Sequence, residues 1–177
     1  MNRRPEVQSF KLMLDGDDPQ HNLLLMAGEH GQGKTLLMKT FEDMANESKL
    51  PCLKIDLSGK VEFTNILDRI WQRLGANQFP LYSLQREKSD QFEAGSWEKK
   101  QQELTQSFFD DWRVIDKNYR IILLLDTYEK ADPGLQDWTE KMFLEGLKNT
   151  IPVIVVIGGR KMPIVNNYLR GAITLCI

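Results

Sequence analysis

The run Gly28-Glu29-His30-Gly31-Gln32-Gly33-Lys34-Thr35 restricts what this chain can fold into more than any other part of it. It fits G-x-x-x-x-G-K-[ST], a pattern in which each fixed position has a physical task. Gly28, Gly31 and Gly33 let the main chain turn tightly, so that successive N–H groups converge on phosphate oxygens. Lys34 is placed to reach β- and γ-phosphates, and the Thr35 hydroxyl to sit on Mg²⁺. A helix starting here adds the positive end of its dipole. The flanks have the character this demands. Residues 22–27 are a short apolar run of the length of a buried parallel strand. Leu36, Leu37, Phe41 and Met44 then follow at helical spacing. The expected nucleotide-binding set is therefore residues 28–35 together with Leu36. Glu29 and His30 fall at variable positions of the loop and are expected to face solvent without chemistry of their own.

With 177 residues, the chain is long enough for one domain with a well-buried core. It is 41% hydrophobic and 27% charged, the balance of a folded globular protein rather than a disordered one. The net charge is −2, and basic residues form only isolated pairs such as Arg3-Arg4 and Lys99-Lys100. No electrostatic footprint for nucleic acid is evident in that pattern. No apolar run approaches the length of a membrane span, and the N-terminus lacks the apolar centre of a signal peptide. Cys52 and Cys176 lie in apolar runs without a CxxC or His/Cys grouping, and read as small buried hydrophobes in a reducing compartment. A cytoplasmic location is expected.

Strand-like and helix-like segments alternate. Residues 5–14 read as a helix with Val7, Phe10, Met13 and Leu14 on one side, and residues 51–57 as a second strand. Phe63, Ile66, Leu67, Ile70, Trp71 and Leu74 form an amphipathic stripe, with Gly75 placed to end that helix. Residues 76–96 read as the least structured part, since 85–90 and 93–96 have little to bury, and as a surface excursion, mobile or ordered by a partner. Ser96 can cap a helix carrying Trp97, Leu104, Phe108 and Trp112, aromatics expected to pack in the core. Residues 121–126 are an apolar strand ending in a carboxylate, and Asp132-Pro133-Gly134 turns into a helix through Leu135, Trp138, Met142 and Leu147. A strand at 152–157 closes on Gly158-Gly159-Arg160. After a short segment around Asn166-Tyr168, residues 173–177 read as a last strand. The alternation implies an α/β fold, a three-layer sandwich with a parallel sheet between helices.

Asp126, after four or five apolar residues, matches a Walker B carboxylate that holds Mg²⁺ through its water shell. The other reading, a cap on the following turn, leaves it without that task. Thr127 follows it directly, and the first acid after it is Glu129. Glu129 is a candidate water-orienting base, or else a surface loop acid. Arg160 is a candidate reader of the γ-phosphate or partner of a neighbouring acid, or else a solvated loop residue.

Taken in order, the phosphate loop, Leu-Leu-Leu-Asp126-Thr127-Tyr128-Glu129 and Val-Ile-Gly-Gly-Arg160 resemble the nucleotide-binding domain of signal-transduction ATPases with numerous domains. These are relatives of the AAA+ proteins in the additional-strand branch of P-loop NTPases. The resemblance spans residues 5–177. It implies a five-stranded parallel sheet in the order 5-1-4-3-2, with residues 22–27 as strand 1 and 121–126 as strand 3. It also implies binding of ATP or ADP with Mg²⁺, slow hydrolysis, and a regulatory switch that contacts protein partners or itself through the nucleotide face. Members of that group continue into helical and winged-helix lid regions; residues 1–177 are expected to be the nucleotide-binding domain alone. Two other classes stay open. A small-molecule kinase needs an arginine-rich lid, and residues 85–105 hold only Arg86. A non-catalytic nucleotide-binding module needs no acid at position 127. No Asn-Lys-x-Asp guanine signature occurs.

Overall fold

Apolar runs too short for helices and covered on both sides belong in a parallel sheet, and the runs at 23–27, 121–126 and 153–159 form the centre of a five-stranded one here. The computed structural model describes residues 4–16, 22–91, 97–115, 120–147, 153–164 and 172–176. The strands are β1 (Leu23–Ala27), β2 (Cys52–Asp56), β3 (Ile121–Asp126), β4 (Val153–Gly159) and β5 (Ala172–Cys176). They pair in parallel in the order β2-β3-β4-β1-β5. The 1-4-3-2 part of this order is the one expected, and β5 lies along the free side of β1. β4 runs two residues further than expected, through Gly158 and Gly159.

All six residues of β3 are buried, because alternate side chains enter different cores. Ile122 and Leu124 face a layer made by α1 (Arg4–Asp15) and α2 (Lys34–Glu47), where Phe10 stacks on Phe41 at 4.2 Å. Arg120, just before β3, donates to Leu14 O at 2.7 Å and so closes the C-terminal end of α1. Ile121, Leu123 and Leu125 face the opposite layer, which holds α3 (Phe63–Leu74), α5 (Trp97–Val114) and the helix through α6 (Pro133–Trp138) and α7 (Leu144–Leu147). α6 begins as its sequence suggests, with Asp132 accepting from Leu135 N–H at 3.0 Å and Pro133 in the first turn. A π-helical turn, Thr139–Phe143, joins it to α7.

Several expectations are corrected. Residues 76–91 are not the least structured part: they contain α4 (Pro80–Gln91), and Phe79 and Tyr82 are wholly enclosed. Phe79 stacks on Phe108 at 4.9 Å, and the Tyr82 hydroxyl donates to Asp68 at 2.6 Å. A few aromatic anchors suffice to seat a helix whose remaining positions are mostly polar. Residues 92–96, including Ser96, lie outside the described residues, as do Asn166 to Tyr168. Trp97 is 53% exposed and meets the core edge-on at Phe63. On α2 the buried stripe is Leu37, Met38, Phe41 and Ala45, which leaves Leu36 outward at 71% exposure. Cys52 is only partly buried, a free thiol pushed up to about 12, mainly by burial and then by Glu42.

Asp111, on α5, caps α4 from outside: it accepts from Tyr82 N–H at 2.8 Å and also from Leu81 N–H. Burial holds its carboxyl above the ordinary value despite those bonds. The folded state therefore binds this proton more tightly than the unfolded one. Stability falls as pH rises from the unfolded pKa through the raised folded one. Denaturant titrations should show Asp111→Ala losing about 1–2 kcal/mol at neutral pH. Asp111→Asn, which keeps an acceptor oxygen, should lose less and should lack that acid-side fall.

A methyl group at Gly146 would meet the Phe109 ring at 2.4–2.7 Å. That ring is wedged against Phe108, Trp112 and Phe143. Gly146→Ala gains about 1 kcal/mol of helix propensity but overpacks the core by about 1–3 kcal/mol. The expected result is a lower urea midpoint for the variant; an unchanged or higher one would mean the aromatic cluster is loosely packed.

Candidate functional site

Parallel strands bring the loops at their C-terminal ends to one edge of the sheet, and the ends of β1, β3 and β4 carry the motif residues. After Ala27 the chain enters the glycine loop. Gly31 and Gly33 adopt φ of 83° and 82°, where an L side chain is strained, although there is open space at both. Leu37 N–H makes the first helical bond, to Gly33 O at 2.9 Å. The amides of Lys34, Thr35 and Leu36 thus lie ahead of the helical ladder and face the loop as donors. Gln32 steadies the loop by accepting from Glu29 N–H at 2.6 Å. The Lys34 ammonium reaches back across the turn to Gly28 O and Glu29 O, at 2.5 and 2.7 Å. That holds it over the loop, with one of its three N–H donors left beyond those two bonds. Thr35 is exposed on the first turn, and Glu29 and His30 are exposed as expected.

The loop is fastened to its neighbour: Gly28 N–H donates to Gly159 O at 3.1 Å. One strand further, Asp126 is buried, and its Oδ1 accepts from Thr127 N–H at 2.9 Å. A side chain at Gly158 would stand 3.7 Å from that oxygen and 2.7 Å from Met38 of α2. Asp126 therefore lies under the helix that carries Lys34 and Thr35, two strand spacings (~10 Å) from β1. One hydroxyl and one carboxylate suit Mg²⁺, which keeps much of its water and takes few protein ligands. Among the described residues no three His, Cys, Asp or Glu side chains gather as a metal cluster.

Thr127 has φ 61° and ψ 40°, an uncommon conformation for a β-branched residue. Its hydroxyl helps to hold down the carboxyl of Asp56, the β2 residue in register with Asp126. Asp56 is held below the ordinary carboxylate value, first by the Ser58 N–H and then, against burial, by the Ser58 and Thr127 hydroxyls and Lys130. Asp56 is a feature the sequence reading missed; only strand register places it beside Asp126. The left-handed kink at Thr127 and the short 3₁₀ turn Tyr128–Lys130 carry Glu129 back over the end of β4. Tyr128 anchors that turn, fully buried, with its hydroxyl donating to Glu140 at 2.9 Å.

Glu129 and Arg160 are brought together. Arg160 Nε donates to Glu129 Oε1 at 3.1 Å, and Arg160 N–H donates to Oε2 at 3.0 Å. Burial raises the Glu129 carboxyl, but its own N–H and the Arg160 bonds lower it further, so it stays ionised below the ordinary value. The guanidinium here engages the neighbouring acid, the second of the two partners expected for it. Arg86 lies elsewhere, paired with Asp68 at 3.3 Å.

No family model matches the chain, and no curated protein matches it. Solved structures do. Cdc6p from Pyrobaculum aerophilum aligns with a TM-score of 0.58 at 16% identity, over 98% of this chain and 45% of that one. The two chains share a fold. Drosophila ORC bound to AT-rich DNA and Cdc6 gives 0.57 at 11% identity, over 97% and 57%. Aeropyrum pernix ORC1 in complex with DNA gives 0.50 at 15%, over 99% and 44%. This chain thus spans about half the length of the structures it matches. Two of these three hold DNA, and the expectation of no nucleic-acid contact draws no support from them. No described helix is long and apolar enough to cross a membrane.

Proposed function

We propose that this chain binds Mg·ATP at the glycine loop and hydrolyses it slowly, as a nucleotide-controlled switch. One observation carries the reading. The Lys34 ammonium, the free amides opening α2, Asp126 and the Glu129–Arg160 pair stand along one edge of a single sheet, joined by the Gly28–Gly159 bond. Mg²⁺, held by Thr35 and Asp126, supplies charge neutralisation between phosphate oxygens when bound. Lys34 and the loop amides bind and orient the β- and γ-phosphates. Glu129 accepts a proton from the water that attacks the γ-phosphorus. The bond from that phosphorus to the bridging oxygen breaks, its electron pair leaves with ADP, and inorganic phosphate is the other product. Arg160 is the group that tells triphosphate from diphosphate.

Contacts with protein partners or a second copy through the nucleotide face, and action in the cytoplasm as part of a signalling ATPase, extend the same reading. A nucleotide-binding module without turnover is the second reading, favoured by the engagement of Glu129 with Arg160. The kinase reading loses its one lid candidate, since Arg86 is tied to Asp68.

Phosphate release from ATP alone tests the proposal. Turnover should vanish with chelator and fall by about 10- to 100-fold in Asp126→Asn, while added nucleosides or sugars leave it unchanged. Wild-type protein that binds ATP without any turnover would favour the non-catalytic module.

A further inference from the structure

Glu129 is gripped in two unequal ways. Its Oε1 faces a side chain, the Arg160 guanidinium, which is 50% exposed. Its Oε2 faces main chain, the Arg160 N–H, at the end of a fully buried strand. The first partner can swing away by side-chain rotation; the second cannot move without unravelling β4. Gly159 makes the second contact possible. A methyl group there would stand 2.7 Å from Glu129 Oε2, closer than real Cβ atoms approach, and 3.0 Å from Lys161 O, a tight contact with main chain, so the Glu129 carboxylate would have to shift.

We propose that Gly159 and the Arg160 N–H are positioning elements for Glu129, a one-arm clamp that keeps Oε2 fixed while the guanidinium releases Oε1. The release rests on the nucleotide reading above. A γ-phosphate offers the guanidinium a denser negative charge than one carboxylate, and planar N–H donors suit its oxygens. Diphosphate has no such group in reach, so the arm stays on Glu129. In the triphosphate state Oε1 is the oxygen that takes the water's proton, and its direction is set by the strand rather than by the loop. Gly159 acts through Glu129 and needs no contact with nucleotide.

The test is nitrogen-15 NMR and amide hydrogen exchange on the whole chain, with Mg²⁺ and either ADP or a non-hydrolysable triphosphate analogue. The triphosphate should shift the Arg160 Nε–H signal and leave the residue 160 amide protected; ADP should change neither. Shifts at the Gly33 and Lys34 amides report loop occupancy separately. If those amides ignore both nucleotides, the nucleotide reading fails and the release with it. If they respond but the Nε–H signal stays put with triphosphate, only the clamp is overturned. Loss of protection at the residue 160 amide with triphosphate also overturns it. Two variants cross-check the anchor. Arg160→Ala keeps the main-chain donor, and its residue 160 amide should remain protected. Folded Gly159→Ala should lose that protection and about tenfold or more in kcat, beyond any change in nucleotide affinity. Full turnover by Gly159→Ala would refute a positioning role.

Discussion

Lys34→Ala should lose nucleotide binding and keep its fold. On the proposed reading the ammonium binds the phosphates, and each hydrogen bond to a charged group is worth about 1.5–3 kcal/mol. Losing the bond its one remaining donor can make weakens affinity by roughly 10- to 100-fold, and losing the charge weakens it further. Against this, the side chain's own partners are two main-chain oxygens of the loop, Gly28 O and Glu29 O, so little packing is lost. Calorimetric titration with Mg·ATP reads the first effect and thermal melting the second. Unchanged affinity would contradict the binding assignment, whereas loss of the fold would make Lys34 a structural residue.

Glu129→Gln should bind nucleotide and turn it over about 100- to 1,000-fold more slowly, the usual worth of a positioned base. The amide keeps the volume that fills the gap over Gly159, so packing survives. It gives up the charge that holds Arg160, which leaves the guanidinium readier for a γ-phosphate, and triphosphate affinity should hold or rise. Multiple-turnover phosphate release on contaminant-free protein decides the matter; equal rates would remove Glu129 from the chemistry. A second signature accompanies the first. The folded pKa of Glu129 lies below its unfolded value, so its contribution to stability is present above the unfolded pKa. That contribution drains away as pH falls through the folded one. The glutamine variant should lack this acid-side loss when its melting is followed from neutral pH downward.

How much of the fold and site is legible in the residues depends on whether a residue's task is local. The glycine loop declares itself because three glycines, a lysine and a threonine at fixed offsets are a local backbone requirement. β3 and its terminal Asp126 declare themselves through unbroken apolarity. α4 does not. Its polar positions outvote Phe79 and Tyr82 in any window, and its N-terminal cap comes from Asp111, far along the chain on another helix. The Glu129–Arg160 pair is half legible: both residues stand out as candidates, yet their meeting depends on the left-handed Thr127 and on the narrowness of Gly159. Asp56 is illegible, since its closeness to Asp126 is a property of register alone. The outward turn of Leu36 arises from a helix that starts at Lys34, which rotates the buried stripe one position on.

The bond from Gly28 to Gly159 bears on how fast such a site can answer its ligand. The glycine loop and Arg160 hang from adjoining ends of two interior strands, so neither has to travel to meet the other. What remains to change is a few torsions in one half-exposed side chain, an event of nanoseconds rather than of the microseconds to milliseconds that hinged closure takes. The tempo of any response would then be set by the arrival and departure of the nucleotide, with the protein itself adding almost no delay.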